Sequence, residues 1–161
     1  MKIHFGEKDG LSRLPFVVGI SDDIDNTLTI TVSLAKEEDR GSILSGDEII
    51  DDILKDKIPI VADEEEEYEI IFEGYIMYRV LNESYSLGDE YDKFSGKYFR
   101  VYERSRFLES MKYGVFCQKD QSGEYYPGKW VHYGICSQNH VVDIISHIPP
   151  VKNCCQSNSW T

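Results

Sequence analysis

The stretch WVHYGICSQNHVVDIISHI, residues 130–148, decides the fold that the sequence predicts. Its first part alternates as a β-strand does, and the residues that would share one face are Trp130, His132, Gly134 and Cys136. Gln138-Asn139 interrupts the apolar pattern with turn-forming side chains, and the run from Val141 to Ile148 is rich in β-branched residues. Two such strands are not stable alone, so the segment predicts a larger sheet that covers them.

Other stretches predict the remaining strands: Lys2–Phe5, Pro15–Ile20, Thr27–Leu34, Tyr68–Leu81 and Lys97–Tyr102. The clearest is Thr27–Leu34, where aliphatic residues alternate strictly with Thr and Ser. This pattern is typical of an antiparallel strand with one buried face. The run Tyr68–Leu81 is interpreted as one long strand that bends or bulges at Gly74.

Two short helices are predicted among these strands. Residues 47–55 carry isoleucines at helical spacing, with acidic residues first and Lys55 last, which suits the helix dipole. Ser105 predicts the N-cap of a second helix that reaches Tyr113. The sequence therefore predicts an α+β fold, a mainly antiparallel sheet with two short helices packed on it. We expect one domain over residues 1–150, followed by a flexible tail over 151–161.

The charge of the chain limits its partners. Twenty-nine Asp and Glu face seventeen Lys and Arg, which gives a formal net charge of −12. This field disfavours nucleic acids and anionic membranes, while it favours either simple solubility or attraction toward a basic protein. We find no signal peptide and no apolar run long enough to span a membrane, so we expect a cytoplasmic protein with reduced cysteines. The sequence indicates no cofactor and leaves the oligomeric state open.

A cluster of potentially catalytic residue types lies in the 132–143 region. The four are His132, Cys136, His140 and Asp143. They allow the hypothesis of a small Cys/His-dependent hydrolase or transferase, with Asp143 orienting an imidazole. The spacing of four between His132, Cys136 and His140 would suit a metal site on a helix, but this segment is predicted to be strand and turn. The sequence has neither a C-x-x-C nor an H-E-x-x-H motif, so no metal site is predicted.

Acidic clusters form the second group of candidate residues. The first is the run DEEEE, and the second lies in the loop predicted after residue 84. As candidate contacts to a basic partner we name Asp63, Glu64, Glu65, Glu66, Glu67, Asp89, Glu90 and Asp92. Several tyrosines follow the first cluster, and tyrosine gives contact area at a low cost in side-chain entropy.

Two strings, FRVYERSRFLES (99–110) and KWVHYGICSQNHVVDIISHIPP (129–150), resemble stretches of small bacterial cytosolic proteins, within residues 68–150. Some similar small acidic proteins are encoded beside secreted toxins and act as immunity proteins. The resemblance implies a stoichiometric inhibitor, and it implies neither an architecture nor any site residues. The leading hypothesis is thus a non-enzymatic protein that occludes a basic toxin. The hydrolase and a structural subunit remain alternatives.

Overall fold

The computed structural model of the chain describes residues 3–6, 11–38, 46–54, 57–116, 121–122 and 128–155, with the backbone alone at 54 and 153–155. Within these ranges the strands are β1 (Pro15–Asp22), β2 (Leu28–Glu37), β3 (Ile60–Phe72), β4 (Tyr75–Asn82), β5 (Lys93–Ser95), β6 (Phe99–Arg104), β7 (Val131–Cys136), β8 (His140–Ser146) and β9 (Val151–Cys155). The helices are α1 (Glu48–Leu54) and α2 (Arg106–Gly114). A short 3-10 helix, Glu83–Tyr85, follows β4.

The strands form two antiparallel sheets. The first has the order β1-β2-β3-β9, and the second has the order β4-β8-β7-β6-β5. The chain passes from the first sheet to the second through a turn at Glu73-Gly74, and it returns after Pro149-Pro150 to add β9 beside β3. A Cβ atom at Gly74 would lie 2.7 Å from the Ile148 side chain, so a larger residue at this crossing would displace that side chain.

The hydrophobic core lies between the two sheets. From the first sheet it takes the alternating aliphatic residues of β2, with Ile70 and Phe72 of β3. From the second sheet it takes inward residues of four strands, and the rings of Phe72 and Tyr133 meet across the interface at a centroid distance of 5.6 Å. Strand alternation therefore buries one face of each sheet in a β-sandwich.

Of the two α-helices in the described part of the chain, α2 packs on a sheet and α1 does not. Ser105 caps it by accepting a hydrogen bond from the Leu108 amide at 3.0 Å, as the sequence predicts. Phe107 and Met111 then pack with Ile145 on the outer face of the second sheet. Helix α1 instead leaves its apolar side in solvent, because Ile49 is 74% exposed and Ile53 is 64% exposed.

The predicted antiparallel, strand-dominated fold with few helices is confirmed in this coarse form. In its details it differs, because the strands divide into two sheets and α1 is not packed on either of them. The long strand predicted over 68–81 is wrong, since the turn at Gly74 sends β3 and β4 into different sheets. Residues 3–6 form no strand, although Ile3 and Phe5 pack in the core.

The segment expected to be a loose tail begins with a strand. Residues 151–155 form β9 and pair with β3, with Val151 opposite Ile71. Its five residues show no clear alternation in the sequence, so pairing with β3, and not the local pattern, determines this strand. The rest of the predicted tail, 156–161, lies outside the described residues.

Candidate functional site

The outer face of the second sheet gathers most of the candidate catalytic residues. Because side chains alternate along a strand, Val142 and Ile144 point into the sandwich while Asp143 points outward. Strands β4 and β5 lie at opposite edges of this sheet, so the segment between them, residues 83–92, must cross it. Helix α2 and this crossing segment therefore cover the outer face.

His132 is the centre of a buried network on that face. Its Nδ1 lies 2.7 Å from the Ser105 hydroxyl, and its Nε2 lies 2.9 Å from a carboxylate oxygen of Asp143. The Tyr102 ring stacks on the imidazole at a centroid distance of 3.9 Å, with an angle of 8° between the planes. Both His132 and Ser105 are 1% exposed, so solvent does not reach either group.

The hydrogen bonds assign a protonation pattern to the network. The Ser105 oxygen already accepts from the Leu108 amide, so its proton is available to Nδ1 of a neutral imidazole. The Nε2 proton then goes to the Asp143 carboxylate. With this tautomer both ring nitrogens of His132 and the hydroxyl proton of Ser105 have partners.

Asp143 remains a carboxylate although it is buried. Burial alone raises its pKa, but the hydrogen bond from His132, with the hydrogen bond and charge of Arg79, acts in the opposite direction and leaves the pKa of Asp143 below its ordinary value. The Arg79 Nε donates to the second carboxylate oxygen at 2.8 Å. The carboxylate thus joins an exposed arginine to a buried histidine.

Ser105, His132 and Asp143 are the residue types of a serine hydrolase triad, but their environment is structural. The serine hydroxyl caps α2, and neither it nor the imidazole is accessible to a substrate. A nucleophile must reach the atom that it attacks, so this arrangement holds α2 against the sheet rather than performing acyl transfer. Sequence reasoning found Ser105 as a helix cap and missed its contact with His132, 27 residues away in the chain.

The structure does not bring Cys136 and His140 into this network. Cys136 shares a strand face with His132, but four residues along β7 separate them by about 13 Å. Burial, partly offset by Arg100, raises the pKa of the Cys136 thiol, which keeps it protonated near neutral pH. His140 lies on the opposite face of β8 from Asp143. Within the described ranges no three His, Cys, Asp or Glu side chains form a metal site.

The run Asp63–Glu67 lies inside β3, where it forms an unusually large bulge. Ser33 pairs with Glu67 and Ala35 pairs with Ala62, so four residues of β3 have only Leu34 opposite them. The Ser33 hydroxyl donates to the Asp63 carbonyl at 2.6 Å and fixes the start of the bulge. The bulge leaves the side chains of Glu64 and Glu65 exposed.

Cations neutralise part of this acidic run. Lys36 pairs with Asp63 at 3.2 Å, and Arg13 forms ion pairs with both Asp63 and Glu66. The pKa of Asp63 is lowered, first by the backbone hydrogen bond that it accepts from Glu65, and then by Lys36 and Arg13. Of the five predicted contact residues in this run, Glu64 and Glu65 are therefore the most available to a partner.

The second acidic cluster lies on the other layer of the sandwich. Asp89 pairs with Arg106, and Asp92 accepts a hydrogen bond from the Arg106 amide at 2.9 Å. These contacts tie the crossing segment to the first turn of α2, while Glu90 is exposed beside them. The two acidic clusters that sequence reasoning grouped together thus belong to different sheets.

Apolar surface accompanies the bulge. Ile58, just before β3, and Ile60, its first residue, are 45% and 56% exposed. Ile60 also borders an open groove of about 470 Å³, whose other walls include Leu14, Ala35 and the two cations Arg13 and Lys36. No local sequence pattern indicates this groove, because the residues that line it come from three separate segments.

No helix among the described residues is long and apolar enough to cross a membrane. Comparison of the chain with protein-family models, with curated proteins and with solved structures found no match.

Proposed function

We propose that the chain is a non-enzymatic binding protein, an immunity-type inhibitor that occludes a basic protein partner. The observation that carries the proposal is the Asp63–Glu66 bulge. A bulge within a paired strand holds Glu64 and Glu65 outward on an ordered backbone. Because this backbone is already ordered, it loses little conformational entropy when a partner binds. The affinity is therefore expected to be higher than for a disordered acidic loop.

The apolar residues beside the bulge support the same surface. Stable interfaces have an apolar centre surrounded by polar residues. Ile58, Ile60 and the adjoining groove supply the apolar part, and the bulge supplies the acidic rim. We call this surface, made of residues 58–66 with Leu14 and Ala35, the bulge surface.

The net charge of −12 supports a basic partner. Arg13 and Lys36 hold Asp63 and Glu66 in place, so the exposed pair Glu64 and Glu65 is expected to meet lysine or arginine on the partner. Long-range attraction would raise the association rate at low salt. The hydrolase alternative lacks comparable support, because Cys136 and His132 lie about 13 Å apart and His132 is enclosed.

The test uses the protein encoded by the gene next to this one, produced as a purified domain. We expect a stoichiometric complex by calorimetry, and protection of cells that express the domain. The double variant Glu64→Lys/Glu65→Lys should weaken the affinity at least about tenfold and reduce its salt dependence. The charge-matched control, called the Asp25 variant, is Asp25→Lys/Glu73→Lys. Both residues are exposed in turns at one end of the first sheet, about 20 Å along β2 from the bulge.

Two results would contradict the proposal. One is that neither neighbouring gene product binds or is neutralised. The other is that a partner binds the bulge variant and the Asp25 variant with equal affinity and equal salt dependence.

A further inference from the structure

A cleft lies between the crossing segment and the outer face of the second sheet, and its volume is about 570 Å³. This volume is within the range of sites for small ligands. Asp143 and Tyr102 of the buried network line this cleft, and Leu14 of the bulge surface lies at its border, but the remaining lining residues belong to neither. Strand residues form the floor of the cleft and residues 86–92 form its roof. The cleft therefore results from the strand order and from the path of the crossing segment.

The floor contains one row of charged residues that runs across four strands. Arg79 pairs with Asp143, Asp143 pairs with Gly134, and Gly134 pairs with Arg100 in the strand registers. Glycine contributes no side chain, so the row has the charge order cation, anion, gap, cation. Arg100 and Asp143 are two strand spacings apart, about 10 Å.

Arg100 is the unusual member of this row. Its guanidinium lies 4.0 Å from the centre of the Phe94 ring, and its Nε makes a long contact of 3.4 Å to the Lys97 carbonyl. Among the described residues no carboxylate forms an ion pair with it, although the chain has twelve more acidic than basic residues. A half-buried arginine in such a chain is expected to have an anionic partner.

Four carboxylates line the cleft, and all of them except Glu83 are engaged elsewhere. Asp143 is held by Arg79 and His132, Asp89 by Arg106, and Asp92 by the amide of Arg106. Their charges therefore oppose an anion beside Arg100 less than free carboxylates would. Tyr102 also lines the cleft and accepts a hydrogen bond from Arg100. Burial raises the pKa of Tyr102 to about 12 although Arg100 partly offsets it, so the hydroxyl remains a donor.

The next row of the floor is apolar. Leu81 pairs with Val141, and Val141 pairs with Cys136, whose thiol is protonated. An apolar group attached to the anion would lie over this row. Polar groups that fix one end of a ligand beside an apolar wall are the usual composition of a small-molecule site.

We propose that this cleft binds a small organic anion, with its carboxylate or phosphate group on Arg100 and its apolar body over Val141 and Cys136. The site does not depend on the bulge surface, and a nucleic acid is an unsuitable ligand because its many phosphates would meet the net negative charge of the chain.

The experiment titrates the full chain with benzoate, phenyl phosphate and uncharged benzamide, followed by amide chemical shifts. We expect saturable binding of at least one anion with a dissociation constant below about 10 mM. The amide shifts should change at residues 79–81, 98–102 and 134–141. Benzamide should bind at least about tenfold more weakly, because it cannot form the charged hydrogen bonds. The preference between benzoate and phenyl phosphate identifies the anionic group.

Three variants separate the role of Arg100 from general effects. Arg100→Gln should weaken binding of the preferred anion by about tenfold or more, and Arg100→Lys should restore part of it. Lys129→Gln also removes one positive charge, but Lys129 precedes β7 and does not line the cleft, so this variant should leave binding unchanged. Val141→Trp fills the apolar part of the cleft and should block binding while the charges stay in place.

The proposal is overturned if neither anion saturates, if benzamide binds as well as the anions, or if the shifts lie outside the cleft. It is also overturned if Arg100→Gln, shown to be folded by its thermal unfolding curve, binds as the original chain does. None of these outcomes bears on the bulge surface, which Glu64→Lys/Glu65→Lys tests separately.

Discussion

The Asn139 side chain pairs with the backbone of Val17 as a strand would. Its Oδ1 accepts from the Val17 amide at 3.0 Å, and its Nδ2 donates to the Val17 carbonyl at 2.8 Å. The neighbouring Gln138 amide donates to the Pro15 carbonyl at 2.9 Å. The turn between β7 and β8 therefore covers part of the free edge of β1 and joins the two sheets at one corner.

The first prediction concerns this corner. Asn139→Ala should lower the free energy of unfolding by about 1–3 kcal/mol, because it leaves a backbone donor and a backbone acceptor of Val17 unpaired. Urea denaturation measures the change. Asn82→Ala is the matched control, since the Asn82 side chain accepts from the Ser84 amide on an exposed 3-10 turn. Equal stability of the two variants would show that the corner contributes nothing special.

The second prediction concerns Gly134. A Cβ atom there would lie 2.9 Å from the Tyr102 ring, which is itself stacked on His132. Gly134→Ala should therefore cost about 1–3 kcal/mol in a chemical denaturation experiment. Gly88→Ala is the control, because nothing lies within 4 Å of the corresponding Cβ position.

A double-mutant cycle distinguishes steric conflict from backbone effects at Gly134. In a Tyr102→Ala background the ring is absent, so Gly134→Ala should cost clearly less than it does alone. The same cost in both backgrounds would mean that Tyr102 is not the group that requires glycine.

The third prediction concerns the acid stability of the chain. The pKa of Asp143 is lower in the folded chain than its ordinary value, so in the acidic pH range the unfolded chain binds more protons than the folded chain. The resulting stability is present above the unfolded pKa, about 3.9, and is lost as the pH falls through the folded pKa. Asp143→Asn should lower the unfolding free energy at pH 7 by about 2–4 kcal/mol and flatten its decline in acid.

Unfolding curves between neutral and acid pH measure this effect. Asp25→Asn is the control, because Asp25 is exposed in the β1–β2 turn. If Asp143→Asn kept the full acid dependence of the original chain, other carboxylates would have to cause it.

Local patterns predicted the elements whose own residues determine them. Strict alternation in Thr27–Leu34 corresponds to β2, and the capping hydroxyl of Ser105 begins α2 as expected. Both features depend on neighbours in the chain, so they are visible in a single sequence. Strand β9 and the division into two sheets depend on distant partners, and no local pattern indicates them.

The candidate site illustrates the same limit. The sequence placed His132 and Asp143 on strands that are close in the chain, but it gave no sign that Ser105 and Tyr102 would enclose the imidazole. Nor did it show that Arg13 and Lys36 would pair with the acidic run of β3. These contacts arise from strand order and register, which the residue pattern leaves open.

The fourth prediction concerns the reactivity of Cys136. Only the thiolate attacks an alkylating reagent, and burial raises the pKa of Cys136 although Arg100 partly offsets it. Alkylation of Cys136 in the folded chain at pH 7 should therefore be about tenfold or more slower than in the chain unfolded by urea. Peptide mapping by mass spectrometry follows this one residue among the four cysteines. Arg100→Gln should slow the reaction further, because it removes the charge that favours the thiolate. Rapid alkylation of Cys136 in the folded chain would instead support the hydrolase alternative, since a nucleophilic cysteine requires an accessible thiolate near neutral pH.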